Sequence, residues 1–244
     1  TAEEFGVWAY WDGDATNPNT VYLNNKVFTN QGIYWAGKND TYYWPKNGNL
    51  RFSCYSPAVV PGVSHDPETD VFTVDYTQSN LTAETIDFML SPITVPYNAH
   101  TAAENVAVVF DHTLAWITLK VKAANADAAK AFTIHDLIIN DVFTSATLEA
   151  DMTDGVQYTE WSDVKNAAAA YEVVKAKNIN LSTIARVAED TENGTVVIPQ
   201  VPTTLTINFT QNQMKDENGN LYNNTTNKAF LDAIDFAVSL YNKG

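Results

Sequence analysis

The sequence is poor in cysteine and in positive charge, and it has no long apolar run. Cys54 is the single cysteine among 244 residues, so neither an intrachain disulfide nor a cysteine-based metal site can form. Lys and Arg number 14 against 29 Asp and Glu, a formal net charge of −15. The acids are spread along the chain rather than gathered in a tail. Nucleic acid is not expected as a partner, because phosphate neutralisation needs clustered Lys and Arg. Such a charge favours solubility and mutual repulsion of free chains. No stretch is long and apolar enough to span a bilayer as a helix. The chain shows no signal peptide and opens on Thr1 rather than Met, which reads as a processed or an engineered start.

Catalytic motifs are missing as well. There is no Gly-rich phosphate loop, no Gly-x-Ser-x-Gly elbow and no His-Glu-x-x-His. His65, His100, His112 and His135 are not spaced as ligands on one helix or strand pair. His112 and His135 fall in strand-like segments and read as structural; His65 and His100 fall in loops and read as exposed. Carboxylate pairs arise by chance in so acidic a chain, and an acid-type hydrolase would need two of them held in one cleft. Asp12-Gly13-Asp14 with Asn17 and Asn19, and Asp216-Glu217-Asn218-Gly219-Asn220, offer oxygens of the calcium-binding kind. Neither carries the full loop pattern with its closing Glu, and turn chemistry accounts for both. The expectation is a protein with no cofactor, no metal and no catalytic residue.

What is present is a succession of short alternating segments separated by turns. Phe5, Val7, Ala9 and Trp11 form one face of a strand. Val21–Leu23 and Lys26–Thr29 read as a short hairpin around Asn24-Asn25. Pro45 and Asn47-Gly48-Asn49 make a turn. Leu50, Phe52 and Cys54 then alternate with Arg51, Ser53 and Tyr55, and Ser56-Pro57 stops the ladder. Cys54 thus reads as a small core hydrophobe. Further strands are expected at 71–76, 86–90, 114–121, 132–140, 195–199 and 204–210. Val106–Phe110 reads as a strand buried on both faces. The pattern argues for an all-β sandwich or barrel. Two minor helical pieces are expected: one in 164–177, around the run Ala167-Ala168-Ala169-Ala170, and a helical turn in 228–241 leading into a strand. A break near 100–105 divides the chain into domains of 1–103 and 104–244.

The aromatics cluster at Trp8-Ala9-Tyr10-Trp11, Tyr34-Trp35 and Tyr42-Tyr43-Trp44. Such rings serve β cores, and they also serve ligand platforms. Trp8, Tyr10, Trp35, Tyr43 and Trp44 form a candidate glycan surface.

The order Tyr43-Trp44-Pro45, Asn47-Gly48, Leu50-Arg51-Phe52, Tyr55-Ser56-Pro57 resembles a signature of the fimbrillin family of Bacteroidetes. Phe5-Gly6-Val7-Trp8-Ala9-Tyr10, Asp87-Phe88-Met89-Leu90, Val106 to Ala115 and Val197-Ile198-Pro199-Gln200 resemble further anchors of that family, in the right order. The resemblance implies two tandem transthyretin-like β-sandwiches and a non-enzymatic subunit of a type V pilus. Its partners would be other pilus subunits, joined by β-strand addition, and a host or bacterial surface ligand. Its place would be the cell surface, anchored in the outer membrane by a lipid on a leader preceding Thr1. Phe5, Val7, Ala9, Trp11, Leu50, Phe52 and Cys54 would line the core and the groove that takes a donor strand. The chain stops before the family's Trp-x-x-Gly and Tyr-x-Tyr strand, so the second domain reads as incomplete. The alternatives are then an accessory tip or anchor subunit, or a cell-surface glycan-binding module.

Overall fold

The computed structural model describes residues 3–81, 84–91, 97–98, 105–123, 125–152, 158–168, 170–174, 178–187, 195–200, 204–211 and 234–241. In chain order the first elements are β1 (Glu4–Trp11), β2 (Thr20–Asn30), β3 (Trp35–Gly37), β4 (Asn49–Ser56), β5 (Ser64–Asp66), β6 (Val71–Thr77), β7 (Met89–Ser91), β8 (Tyr97–Asn98) and β9 (Asp111–His112). Then come β10 (Ala115–Ala123), α1 (Ala126–Ala131), β11 (Phe132–Asn140), β12 (Val142–Asp151), β13 (Tyr158–Ala168), β14 (Tyr171–Val174), β15 (Ile179–Asn180), β16 (Arg186–Val187), β17 (Thr195–Val197), β18 (Thr204–Gln211) and β19 (Ile234–Tyr241). The protein is nearly all β, as its alternating pattern predicts.

The strands form four antiparallel sheets. The largest runs β3-β2-β1-β4-β7-β9, with β8 also on β4. A second runs β13-β12-β6-β5. Between these two lies a core of Trp8, Tyr10, Tyr55, Phe72, Val74, Tyr76, Leu90, Leu148 and their neighbours. The other two sheets are β14-β11-β15 with β18, and β16-β10-β17 with β19. Ile117, Leu119 and Val121 of β10 meet Ile134, Leu137 and Ile139 of β11 in a second core. Alternation explains both cores, since every second residue of a strand points the same way.

Two of the sheets draw strands from both sides of residues 101–104. Residues 101–104 lie outside the described residues, but β12 and β13 do not. β12 pairs with β6 in a register that aligns Ala146 with Tyr76, Leu148 with Val74 and Ala150 with Phe72. Sequence from the second half of the chain thus completes the first core. Gln200 adds a further clasp: its side-chain amide accepts from Phe143 N at 2.6 Å and donates to Phe143 O at 2.9 Å, as a strand partner would.

Several expectations are corrected. Asn24-Asn25 is no hairpin turn: β2 runs straight through it, and the pair is absorbed as a bulge with Asn25 at φ 44°. The chain reverses instead at Gln31–Tyr34, where Gln31 N donates to Tyr34 O at 2.8 Å. The helix expected in 164–177 is strand where it is described, in β13 and β14. Cross-strand pairing of Ala167 and Ala168 with Phe143 and Val142 overrides alanine's helix propensity. The short helix lies at Ala126–Ala131 instead. Ile234–Tyr241 is a strand; 228–233 lie outside the described residues. Strands β12 and β13, not foreseen, carry a long hairpin. Val106–Phe110 belongs to no ladder, and Val106, Val108 and Phe110 are half-buried while Val109 stands exposed. It is an extended segment laid on a sheet face, not a strand covered on both sides.

Leu148 is fully buried where the β12 hairpin meets β6. Leu148→Ala should lower unfolding free energy by about 3 kcal/mol, through lost transfer energy plus a cavity. Glu149→Ala on the outer face should change it by less than ~0.5 kcal/mol. Urea denaturation of both variants checks the pair.

Candidate functional site

Strand β1 is buried on both faces, from Phe5 through Tyr10. Trp8 and Tyr10 point into the first core, while Phe5, Val7 and Ala9 point to the opposite face. On that second face they meet Leu23 and Cys54, with Phe28, Tyr42, Phe52, Val108 and Phe110 packed against them. Among the described residues no sheet lies opposite. The cover consists of the extended residues 105–110 and the loop that joins β3 to β4. Aromatic contacts fasten it: Phe5 stands edge-on to Phe110 (ring centroids 5.6 Å apart) and to Trp35 (4.9 Å). Phe28 stacks on Phe5 at 5.8 Å and Tyr42 stacks on Phe28 at 5.7 Å. Trp44 meets Phe52 edge-on at 6.1 Å.

This face holds most of the residues assigned to the groove. Phe5, Val7, Ala9 and Cys54 are its floor, and Phe52 packs beside them. Leu50 is buried on the same strand. Trp11 is half-buried at the end of β1, where its Nε1 donates to Asn47 O at 2.6 Å and its ring covers Gly13. Burial pushes the Cys54 thiol far above its ordinary pKa, so it is chemically inert while covered.

Of the candidate glycan surface, Trp8 and Tyr10 are removed by this arrangement: they are 6% and 2% exposed. Aromatic clustering marked them as candidates, but both sides of β1 are covered. Trp35, Tyr43 and Trp44 do reach the surface. Tyr22, Ile33 and Tyr34 join them there, which residue patterning missed.

Two polar clusters lie elsewhere. His65, expected in an exposed loop, is in β5 with its side chain fully buried. Its Nδ1 pairs with Tyr10 Oη at 2.8 Å, and its Nε2 lies 3.5 Å from Asp70 Oδ1. Arg51 also donates to Asp70, and it donates to Asn19 Oδ1 and Pro67 O at 3.0 Å each. Burial raises the Asp70 pKa, but hydrogen bonding from His65 and the Arg51 charge outweigh it and hold the carboxyl below its usual value. This cluster ties β1, β4 and β5 together. In the second, His112 Nδ1 meets Asp87 Oδ2 at 2.7 Å; desolvation raises the Asp87 pKa despite that partner. His112 is exposed in β9 rather than packed in a core. His135 pairs with its neighbour Asp136 at 3.0 Å. His100 lies outside the described residues.

The calcium-like loop at Asp12 is committed to turn chemistry. Asp14 Oδ1 accepts from Thr16 N at 2.9 Å and from its hydroxyl at 2.7 Å, while Asp12 accepts from Asn49 N and Nδ2. Residues 216–220 lie outside the described residues. Among the described residues no three His, Cys, Asp or Glu side chains are grouped to hold a metal, and no helix is long and apolar enough to cross a membrane.

An all-β protein with an aromatic sheet face covered by irregular chain is the class that these features define. The model of the fimbrillin-like family matches residues 1–237, and the chain belongs to that family. The fold is similar to that of a fimbrial protein from Bacteroides vulgatus ATCC 8482, with a TM-score of 0.63 at 14% identity, covering 97% of this chain and 81% of that one. No curated protein matches the chain.

The Asp70 pairing has a pH signature. Because its folded pKa is depressed, its stabilisation is present above the unfolded value near 3.9 and is lost as pH falls through the folded value. Asp70→Asn should cost about 2 kcal/mol at pH 7. The gap between variant and parent should narrow below about pH 4, which urea titrations from pH 7 to pH 3 would follow.

Proposed function

We propose that this protein is a non-enzymatic structural subunit of a bacterial surface fimbria, associating with other subunits by β-strand addition. The family match across residues 1–237 is the observation that carries the reading. The likeness to a solved fimbrial protein supports the fold. In this reading the two cores are tandem transthyretin-like sandwiches, with the β12–β13 hairpin reaching across to the first. The protein works at the outer membrane surface, either in the stalk or as a tip or anchor subunit.

The face floored by Phe5, Val7, Ala9 and Cys54 supplies the physical requirement for strand exchange. Part of its cover, residues 105–110, makes no ladder, so that part can be exchanged without dismantling a sheet. An extended donor satisfies an apolar trough and unpaired backbone groups together. Donor and acceptor are different surfaces, so the contact propagates as a filament.

The test uses native protein from the outer-membrane fraction, run on a denaturing gel without heating. A ladder of multimers that collapses on boiling is expected. A single monomer band would reject strand exchange. Cys54 gives a second reading: a maleimide should leave it unmodified in the folded subunit and label it fully after unfolding.

A further inference from the structure

The aromatic edge left over by the groove has a chemistry of its own. Among the described residues, the five exposed aromatic side chains, Tyr22, Tyr34, Trp35, Tyr43 and Trp44, all lie on β2, β3 or the adjoining loops. Acid is nearly absent from the same stretch: between Asp14 and Asp66, Asp40 is the single acidic residue of a chain that carries −15. Asp40 stands in a cleft. The cleft measures about 220 Å³ and opens between β2 and the loop after β3, lined by Asn25, Lys26, Val27, Lys38, Asn39, Asp40 and Tyr42.

The loop that forms it is tightly fixed. Lys38 N donates to Val27 O at 2.8 Å. Gly37 is needed because a Cβ there would strike Asp40 O and the Tyr42 ring. Tyr42 is stacked on Phe28 and donates its hydroxyl to Asp40 Oδ2 at 3.1 Å. Lys26 Nζ lies 3.9 Å from the same oxygen, and both side chains remain about half exposed. Lys38 is engaged by Glu4 at 2.6 Å. The Asp40 carboxylate, the Lys26 ammonium, Asn39 and the Tyr42 ring thus line one concavity.

We propose that this cleft binds one neutral pyranose unit of a surface glycan. Vicinal hydroxyls both donate and accept, so they pair with a carboxylate acceptor and with ammonium and amide donors at once. The Tyr42 ring in the cleft wall offers a face to the apolar side of the sugar. At about 220 Å³ the cleft is smaller than a drug-sized ligand pocket, so one ring rather than an oligosaccharide is its occupant. An acidic sugar is disfavoured, because the Asp40 carboxylate in the cleft repels it at contact. The proposal stands apart from the fimbrial reading: a stand-alone surface protein with this cleft would bind as well.

Saturation-transfer NMR on the full chain tests it, with the methyl glycosides of mannose, galactose, glucose and N-acetylglucosamine as probes and sialyllactose as the acidic control. Transfer to the ring protons of at least one neutral glycoside is expected. Asp40→Ala and Asn39→Ala, both on an exposed loop, should weaken it at least tenfold with an unchanged Tm, while Glu149→Gln leaves it intact. Silence with every neutral probe, binding that survives Asp40→Ala, or transfer confined to sialyllactose would each overturn the proposal.

Discussion

The structure depends on the double burial of β1. A strand covered on one side can leave its other face to water, but Phe5 through Tyr10 are buried without interruption. The two faces are met by different means. Trp8 and Tyr10 face a second sheet, and packing there is long-range. Phe5, Val7 and Ala9 face irregular chain, held by edge-on and stacked rings rather than by a ladder. Gly6 makes this possible, because the Tyr55 ring crosses directly over it and reaches Asn25 Oδ1 at 3.0 Å. Any side chain at position 6 would displace that ring. The tightly packed side sets the position of β1, and β1 then sets the shape of the looser side.

That asymmetry separates stability from function along one strand. Interiors at crystal-like density resist change, since each lost contact is felt. The first core has that character, closed by β6 and by a hairpin drawn from far along the chain. The opposite face has aromatic area to bury, and residues 105–110 of its cover are held by no backbone ladder. Elements that move or exchange come from the part of a fold with fewest such bonds. The same sheet thus carries one face closed by a second sheet and one closed by irregular chain.

Much of this was legible in residue order where neighbours decide the outcome. The face formed by Phe5, Val7 and Ala9 follows from period-two alternation, and so does the Leu50, Phe52, Cys54 face of β4. Legibility ended where distant chain intervenes. Trp8 and Tyr10 were candidates for a ligand surface because nothing local announces that Phe72 and Leu148 will cover them. His65 sits in a three-residue strand between Gly62 and Pro67, too short for its period to register, and its burial depends on Asp70 and Tyr10. Ala167 and Ala168 carry helix propensity that pairing with β12 overrules. Asn24-Asn25 has the composition of a turn, but an edge strand can hold the same left-handed residue as a bulge. The cleft escaped notice because its signal is a scarcity: one carboxylate where the chain's average would place several.

The exposed rings and the net charge belong to one argument. Apolar patches on a soluble surface invite association, and natural proteins keep them small or give them a use. Here Ile33, Tyr34 and Tyr43 stand in the stretch from which acid is withdrawn, while the rest of the chain carries the charge. Two free copies approaching at random meet mostly acid against acid, which repels them. Contact through the aromatic edge is the approach least opposed by charge. Long-range repulsion thus tolerates a sticky edge in solution and yet leaves it open to a neutral ligand, or to a partner presented in the right orientation. The bulge at Asn25, with φ 44°, interrupts the part of β2 that β3 leaves unpaired and so limits stray strand pairing there.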